Sequence, residues 1–260
     1  MDGLEKSISF ALHTPYYLLL ATYYLLLSTI MLSYLFVSLA LFLVWLALIL
    51  CSHKTRREQL IMSVVGLVVA PGLLILASND YRNIVSDNLA SIGIEDLLFS
   101  FSLFGISAVI YQVLLGKHTH KLKGKRFYAS HPAIHWYVHL ILVLGLWAVV
   151  SLLMIDIFAL SSIRALVVGG LLIGIYTIAD RRDLLLDALL SGLFMALLIF
   201  ITEQIFFVRL FPEAAEGFWR LSEINTLFIG GVPLEELLWA AVVGFAIGPM
   251  YEWLRRYELK

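Results

Sequence analysis

Two pairs of adjacent carboxylates begin long apolar segments of this chain. Glu95 and Asp96 precede one segment, and Glu235 and Glu236 precede another. Ionisable groups are expensive to place in a bilayer, so carboxylates at such positions point to a function. Apolar surroundings favour the protonated carboxylic acid, which can then serve in general acid–base chemistry. The sequence therefore predicts four catalytic candidates: Glu235, Glu236, Glu95 and Asp96.

Helix geometry limits what each pair can do. Adjacent residues of a helix point about 100° apart, so only one carboxylate of a pair can aim straight into a cavity. The other would orient its neighbour or bind another polar group. A structural alternative remains open for both pairs, because negative charge is also favourable at a helix N-terminus.

The segments that carry these pairs are typical of membrane helices. Of the 260 residues, 61% are hydrophobic and 14% are charged, and the charges cluster between apolar runs of about 20 residues, the length of one span. The sequence therefore predicts an all-α membrane protein with about eight transmembrane helices. The predicted spans lie near 12–32, 34–52, 59–77, 94–115, 135–155, 162–180, 184–208 and 227–253, with a turn near Ser33 separating the first two.

The basic residues predict the orientation of these spans. With both termini in the cytoplasm, 14 of the 18 Lys and Arg residues fall on the cytoplasmic side, as the positive-inside rule expects. We therefore expect an integral protein of the cytoplasmic membrane. The carboxylate pairs would then lie near the opposite face.

The chain contains an internal repeat. Residues 53–71 align with 178–196, and residues 91–112 align with 231–252, which superimposes the two carboxylate pairs. Each copy holds four spans, so both copies should insert in the same orientation about a pseudo-twofold axis along the membrane normal. We predict two parallel four-helix repeats, residues 1–127 and 128–260.

The second copy resembles a known signature. The stretch GVPLEELLWAAVVGFAIGPMYEWLRR at 231–256 is similar to that of the small integral-membrane lycopene cyclases, of the heterodimeric type with both halves fused. These proteins carry a PxEE motif that opens a helix, then apolar and aromatic residues, then Tyr-Glu near the helix end. The matching residues are Pro233, Glu235, Glu236, Trp239, Tyr251 and Glu252.

The resemblance extends upstream and implies further site residues. Arg181-Arg182 matches the family's Arg pair, and Glu203 stands where an Asp is usual. The first copy departs from the pattern, with Gly93 in place of Pro and Asp96 in place of Glu. The implied substrate-binding residues are Pro233, Trp239, Phe99, Glu203, Asp80, Trp219 and Asn225.

The resemblance implies a redox-neutral cyclisation of a linear carotenoid end. Such a reaction needs an acid, a base and an apolar pocket, but no metal and no other cofactor. Aromatic faces such as Phe99 and Trp239 could stabilise the carbocation, although packing between helices explains each of them equally well. The expected partners are membrane lipid and an apolar polyene, with no nucleic acid, in a monomer or a homodimer.

Other membrane enzymes offer weaker matches. Asp80 and Asp87, with Asp180 and Asp183, resemble the Asp motifs of intramembrane prenyltransferases, but the predicted topology puts the two groups on opposite faces. The adjacent Glu residues also resemble those of the CAAX-processing proteases, which need an Arg where this chain has Ala240.

Two alternatives depend on other features. His131, His135 and His139 recur every fourth residue, a spacing that can bind zinc or iron, but an interfacial solvated face is the better interpretation. A non-enzymatic carotenoid-binding protein or a small transporter also stays open, because repeated halves with intramembrane acids are common in transporters. A transporter site should be reached by water, whereas a cyclase pocket should be apolar and open to lipid.

Overall fold

The chain folds into a bundle of long apolar helices. The computed structural model describes residues 31–78, 80–81, 92–117, 119–121, 132–220 and 227–259. Within these ranges seven helices are long and apolar enough to cross a membrane. The predicted class, an all-α integral membrane protein, is confirmed. Nearly all of the predicted span 12–32 lies outside the described residues.

The helices follow the apolar runs of the sequence. Their bounds are α1 Met31–Cys51, α2 Arg56–Ser78, α3 Ile94–Leu115, α4 Pro132–Phe158, α5 Ser162–Asp180, α6 Leu185–Glu203, α7 Pro212–Phe218, α8 Leu234–Ile247 and α9 Met250–Arg255. A 3₁₀ turn precedes α6, and a π-helical stretch, Gln204–Leu210, continues it. Four short strands complete the described structure: β1 Thr119–Lys121, β2 Phe228–Ile229, β3 Val232–Pro233 and β4 Tyr257–Leu259.

Two predicted boundaries are wrong. Ser33 is fully buried within α1 rather than in a turn. The last span does not begin at Leu227, because the antiparallel strands β2 and β3 precede it. These strands turn at Gly230-Gly231, whose positive φ angles of 60° and 93° suit a tight hairpin.

The closest helix pairs are equivalent in the two predicted repeats. α2 packs against α3, and α6 packs against α8. Both contacts depend on a glycine that faces the backbone of the partner helix. A Cβ added at Gly66 would lie 2.5 Å from the Ser100 carbonyl oxygen, and one at Gly244 would lie 2.4 Å from that of Ser191. Small residues allow this approach, which is how membrane helices gain packing energy without a hydrophobic driving force.

The last helix of each predicted repeat ends in the same way. Gly116 follows α3 with φ 63°, and Arg256 follows α9 with φ 54°. Both residues stop the helix in the left-handed conformation. The chain then enters β1 in one copy and β4 in the other, and these two strands pair antiparallel. The pairing joins the connection after α3 to the C-terminal segment.

Helices α3 and α8 form the centre of the bundle and begin with the two carboxylate pairs. α3 packs against α2, α6 and α8, while α8 also packs against α5. In contrast, α4 has Leu, Ile and Val side chains on an exposed face, with Ile141 69% exposed. Such faces suit contact with lipid. The fold therefore buries Asp96, Glu235 and Glu236 at the starts of these helices and packs apolar helices around them.

Gly116 provides a test of the helix end. We expect Gly116→Ala to destabilise the protein by about 1–2 kcal/mol, because a Cβ is unfavourable at positive φ. Steric clash does not contribute, since an added Cβ would meet no atom within 4 Å. Gly145→Ala is the control, because Gly145 also has that space but lies within α4. Thermal unfolding in detergent measures both variants, and equal melting temperatures would contradict the argument.

Candidate active site

The start of α8 holds the second carboxylate pair in a buried position. Pro233 is buried, ends strand β3 and precedes the first residue of α8, where its fixed φ fits the conformation of the preceding strand. Glu235 and Glu236 follow in the first turn and are 6% and 4% exposed. The N-terminal end of the helix dipole favours negative charge at this point. The hairpin and the proline therefore fix the position of the first turn of α8, which carries the two carboxyl groups.

Glu236 is held by a tryptophan that follows the short helix α7. The indole Nε1 of Trp219 donates a hydrogen bond of 3.1 Å to Glu236 Oε1. Trp219 itself is 1% exposed and packs against the rings of Phe207 and Phe218, at centroid distances of 5.2 and 5.9 Å. A buried donor in a rigid aromatic cluster fixes the orientation of the carboxyl group.

Glu236 also lines an apolar cavity of about 40 Å³. The cavity lies among α2, α3, α5 and α8, and its wall includes Phe99, Trp239 and Tyr81. The rings of Phe99 and Trp239 are nearly parallel, with centroids 6.4 Å apart. A carboxyl group that faces aromatic rings in an apolar cavity can donate a proton where water does not compete.

Glu235 points to a different side of α8. It lines a separate groove of about 220 Å³ with Leu238, and Arg164 Nη2 lies 3.5 Å from its Oε1. The Arg164 side chain is 40% exposed, so solvent screens this ion pair. The adjacent carboxylates thus diverge as helix geometry requires, and Glu236 is the one that reaches the aromatic cavity.

The first carboxylate pair has different surroundings. Asp96 is buried, and its Oδ2 accepts a hydrogen bond of 3.1 Å from the backbone N–H of Gly93. Glu95 is half-buried and folds back toward the same glycine, since a Cβ added there would lie 2.1 Å from Glu95 Oε1. Neither residue lines the cavity of Glu236. The hydrogen bond between Asp96 and Gly93 therefore caps the N-terminus of α3, which is the structural alternative for this pair.

Asp80 connects the end of α2 to the start of α5. Its Oδ2 accepts a hydrogen bond of 2.7 Å from the backbone N–H of Ser162, and its Oδ1 accepts one from the Ser162 hydroxyl. The neighbouring Tyr81 lines the cavity, and its carbonyl accepts a hydrogen bond of 3.1 Å from the Arg220 backbone N–H. Asp80 therefore positions one wall of the cavity without lining it.

Two further sequence candidates have different outcomes. Glu203 is 5% exposed at the junction where α6 changes to the π-helical stretch, and it does not line the cavity of Glu236. Asn225 lies outside the described residues.

A second buried polar cluster, at the opposite end of α3 and α8, was not predicted. Gln112 Nε2 donates a hydrogen bond of 2.9 Å to Glu58 Oε1 and another to Glu252 Oε1. Asp187 Oδ1 accepts one of 3.0 Å from Ser191 in the same region. Gln112 aligns with Glu252 in the repeat. Polar residues that recur near the ends of apolar spans could therefore have predicted this cluster from the sequence.

The alternative enzyme classes gain no geometric support. Asp80 lies at the start of α5 and Asp180 at its end, about 28 Å apart for a helix of this length. A magnesium site shared by them is therefore excluded, and Asp87 lies outside the described residues. Within the described part of the chain, no group of three His, Cys, Asp or Glu residues could hold a metal ion. His131 and the side chain of His135 are outside that part.

Together these features define an integral membrane protein with a buried, oriented carboxyl group facing an apolar aromatic cavity. Comparison with known proteins supports a family resemblance. The family model described as Lycopene cyclase matches residues 161–254, so the resemblance predicted from the PxEE motif is confirmed for this segment. The match runs from the start of α5 into α9 and supports carotenoid cyclisation as the general activity. No curated protein and no solved structure matches the chain.

Trp219 allows a test of carboxyl orientation. We expect Trp219→Phe to lower the formation of cyclised carotenoid about 10- to 100-fold, because it removes one hydrogen bond to a carboxyl group. Trp253→Phe is a matched control, since Trp253 Nε1 donates to Asp180 Oδ2 at 2.8 Å on the other end of the bundle. Pigment yield per mole of protein in membranes measures the effect. Equal losses in both variants would contradict a specific role for Trp219.

Gln112 allows a test of the second cluster. We expect Gln112→Leu to destabilise the protein by roughly 2–4 kcal/mol, because two buried carboxyl groups lose their shared donor. Ser107→Ala on the same helix is the control, since within the described structure the buried Ser107 hydroxyl has no hydrogen-bond partner. Thermal unfolding in detergent compares the two variants, and a neutral Gln112→Leu would show that the cluster does not hold the helices together.

Proposed function

We propose that this chain is a lycopene-type carotenoid cyclase in which Glu236 is the catalytic acid. The observation that carries the proposal is the setting of Glu236, which is buried, hydrogen-bonded by Trp219 and faces an apolar cavity with aromatic walls. The family match over residues 161–254 supports the same class of reaction.

The reaction is an isomerisation that needs no oxidant or reductant. The Glu236 carboxylic acid donates its proton to C2 of the terminal C1=C2 bond, which leaves a cation at C1. The electron pair of the C5=C6 bond then forms the C1–C6 bond, and the positive charge moves to C5. Loss of one proton next to C5 forms a new double bond, so the product has the composition of the substrate.

The cavity wall stabilises the cation between these steps. Aromatic faces attract cations, by about 2 kcal/mol or more per ring when water is excluded. Phe99 and Trp239 both line the cavity beside Glu236, and Phe104 lies deeper in the same wall. The rings stabilise the carbocation in place of water. Water itself would react with the carbocation to form an alcohol.

The same carboxyl group can recover the proton. Among the described residues, Glu236 is the one carboxyl group that lines this cavity. After protonation of the substrate it is a carboxylate, and the Trp219 N–H stabilises that charge. We infer that Glu236 removes the ring proton and returns to its starting form, with Glu235 and Arg164 as a supporting pair on the other side of α8.

The first half of the chain then supports the site. Asp96 and Glu95 begin α3, which supplies Phe99 to the cavity wall, and Asp80 supports the wall through Ser162. We infer that both termini are cytoplasmic and that the cavity lies near the opposite face of the cytoplasmic membrane. Two fused halves in one chain suit an enzyme that is active as a monomer.

Pigment analysis in a lycopene-accumulating bacterium tests the function. We expect the wild type to form a product with the mass of lycopene and a shorter chromophore. Glu236→Gln should lower its yield at least 100-fold, because general acids contribute about 10²–10⁴ to rates. Glu235→Gln, at equal protein level, should retain activity within about 10-fold, since Glu235 lines a separate groove and not the cavity that Glu236 lines.

The outcomes separate the candidate functions. In deuterated medium each ring of the product should carry one additional deuterium at C2 relative to lycopene made in the same medium without the enzyme, because the Glu236 carboxyl proton exchanges with water between turnovers. Unchanged lycopene from folded wild-type protein would overturn the cyclase, and lycopene retained by that protein would favour the non-enzymatic binder. Full activity of Glu236→Gln would show that another carboxyl group is the catalytic acid.

A further inference from the structure

Among the described residues, a wide apolar groove lies on the outer surface of the bundle, between α2 and α4. Its volume is about 410 Å³, and every residue that lines it is hydrophobic, including Trp136 and Tyr137. The side chains at its rim are exposed, with Val68 at 76% and Ile141 at 69%. A groove of this composition at bilayer depth takes an apolar chain and not a polar ligand.

The groove continues inward to the carboxyl group of Glu236. Val69 and Leu144 line both the groove and a second cavity of about 50 Å³ deeper in the bundle. That cavity shares Leu73 and Trp239, among others, with the cavity that Glu236 lines. The three spaces therefore form one series: the groove adjoins the second cavity, and the second cavity adjoins the cavity that Glu236 lines, which we call the acid cavity.

The series is long and narrows toward the acid. Along α2 its lining runs from Leu60 in the groove to Ala77 beside the acid cavity, about 25 Å at the rise of an α-helix. The volume falls from about 410 Å³ outside to about 50 and 40 Å³ inside. A long, thin, apolar molecule with a reactive end fits this shape, provided that the side chains at the neck rotate.

We propose that this series is the binding site for the whole length of a linear polyene, which enters sideways from the bilayer between α2 and α4. The reactive end lies at Glu236, the neighbouring part of the chain passes Trp147 and Trp239, and the remainder lies in the outer groove. This inference rests on the proposed function, because that function requires a long apolar substrate with its end at Glu236.

The neck is suited to selecting such a molecule. Trp147 packs its ring in the second cavity while its Nε1 donates a hydrogen bond of 3.0 Å to the Leu166 carbonyl. Its polar atom is thereby satisfied, and the apolar ring face remains for the ligand. Val69 and Leu144 are only partly buried at the margin of the core, and the proposed route requires these side chains to rotate.

Two bulky substitutions test the route. Val68→Trp narrows the outer groove at an exposed position, and Leu144→Trp closes the neck. Leu146→Trp is the control, because Leu146 lies on the same helix, is 49% exposed and does not line the groove. Each change is made in the wild type and in Glu236→Gln, which separates binding from turnover.

Binding is read from lycopene itself, which is achiral and gains circular dichroism in its visible bands only in a chiral site. We expect Glu236→Gln in nanodiscs to show this signal with saturating lycopene. Leu144→Trp should abolish it and Val68→Trp should weaken its apparent affinity at least 10-fold, while Leu146→Trp leaves it within twofold. In the wild-type background the same order should hold for product yield.

The outcomes distinguish this route from the proposed function. Lost dichroism in the groove variants with no turnover by the wild type would support the site and overturn the cyclase. Undiminished dichroism in Leu144→Trp, or no dichroism in any variant, would overturn the route even if the wild type makes product. A lower melting temperature of Val68→Trp without lycopene, but not of Leu146→Trp, would show that protein packs in the groove and would also overturn it.

Discussion

Buried carboxyl groups in an apolar bundle need hydrogen-bond donors, and this requirement organises the structure. Three carboxyl groups each accept a hydrogen bond from another segment: Glu236 from Trp219, Asp80 from Ser162, and Glu252 from Gln112. An uncompensated buried carboxylate is costly. The hydrogen bonds that prevent this cost also fix the helices relative to one another.

The two ends of the bundle use this constraint for different purposes. At one end, the oriented Glu236 faces a cavity with apolar and aromatic walls, where we propose that it gives a proton to an olefin. At the other end, Gln112 joins Glu58 and Glu252 from helices of both predicted repeats. The cavities between them are lined mainly by hydrophobic residues, which suits the carbocation chemistry that we propose.

The two predicted repeats are alike in packing but not in their carboxylates. Both end their last helix in a left-handed residue, and both pack their last two long helices through a glycine. Only Glu236, among the four candidate acids, lines the aromatic cavity. Asp96 instead bonds to Gly93, which replaces the proline of the second copy. The family match over residues 161–254 covers the half that contains Glu236.

The sequence by itself determined the membrane class, most helix bounds, the acidic helix starts and the resemblance to the lycopene cyclases, because apolar runs and the PxEE motif are local signals. Tertiary structure decided which acid reaches the cavity, since the direction of Glu235 or Glu236 has meaning only relative to neighbouring helices. It also decided the partner of Asp80, the hairpin before α8 and the Gln112 cluster. These depend on contacts between residues up to 140 positions apart, which no local pattern contains.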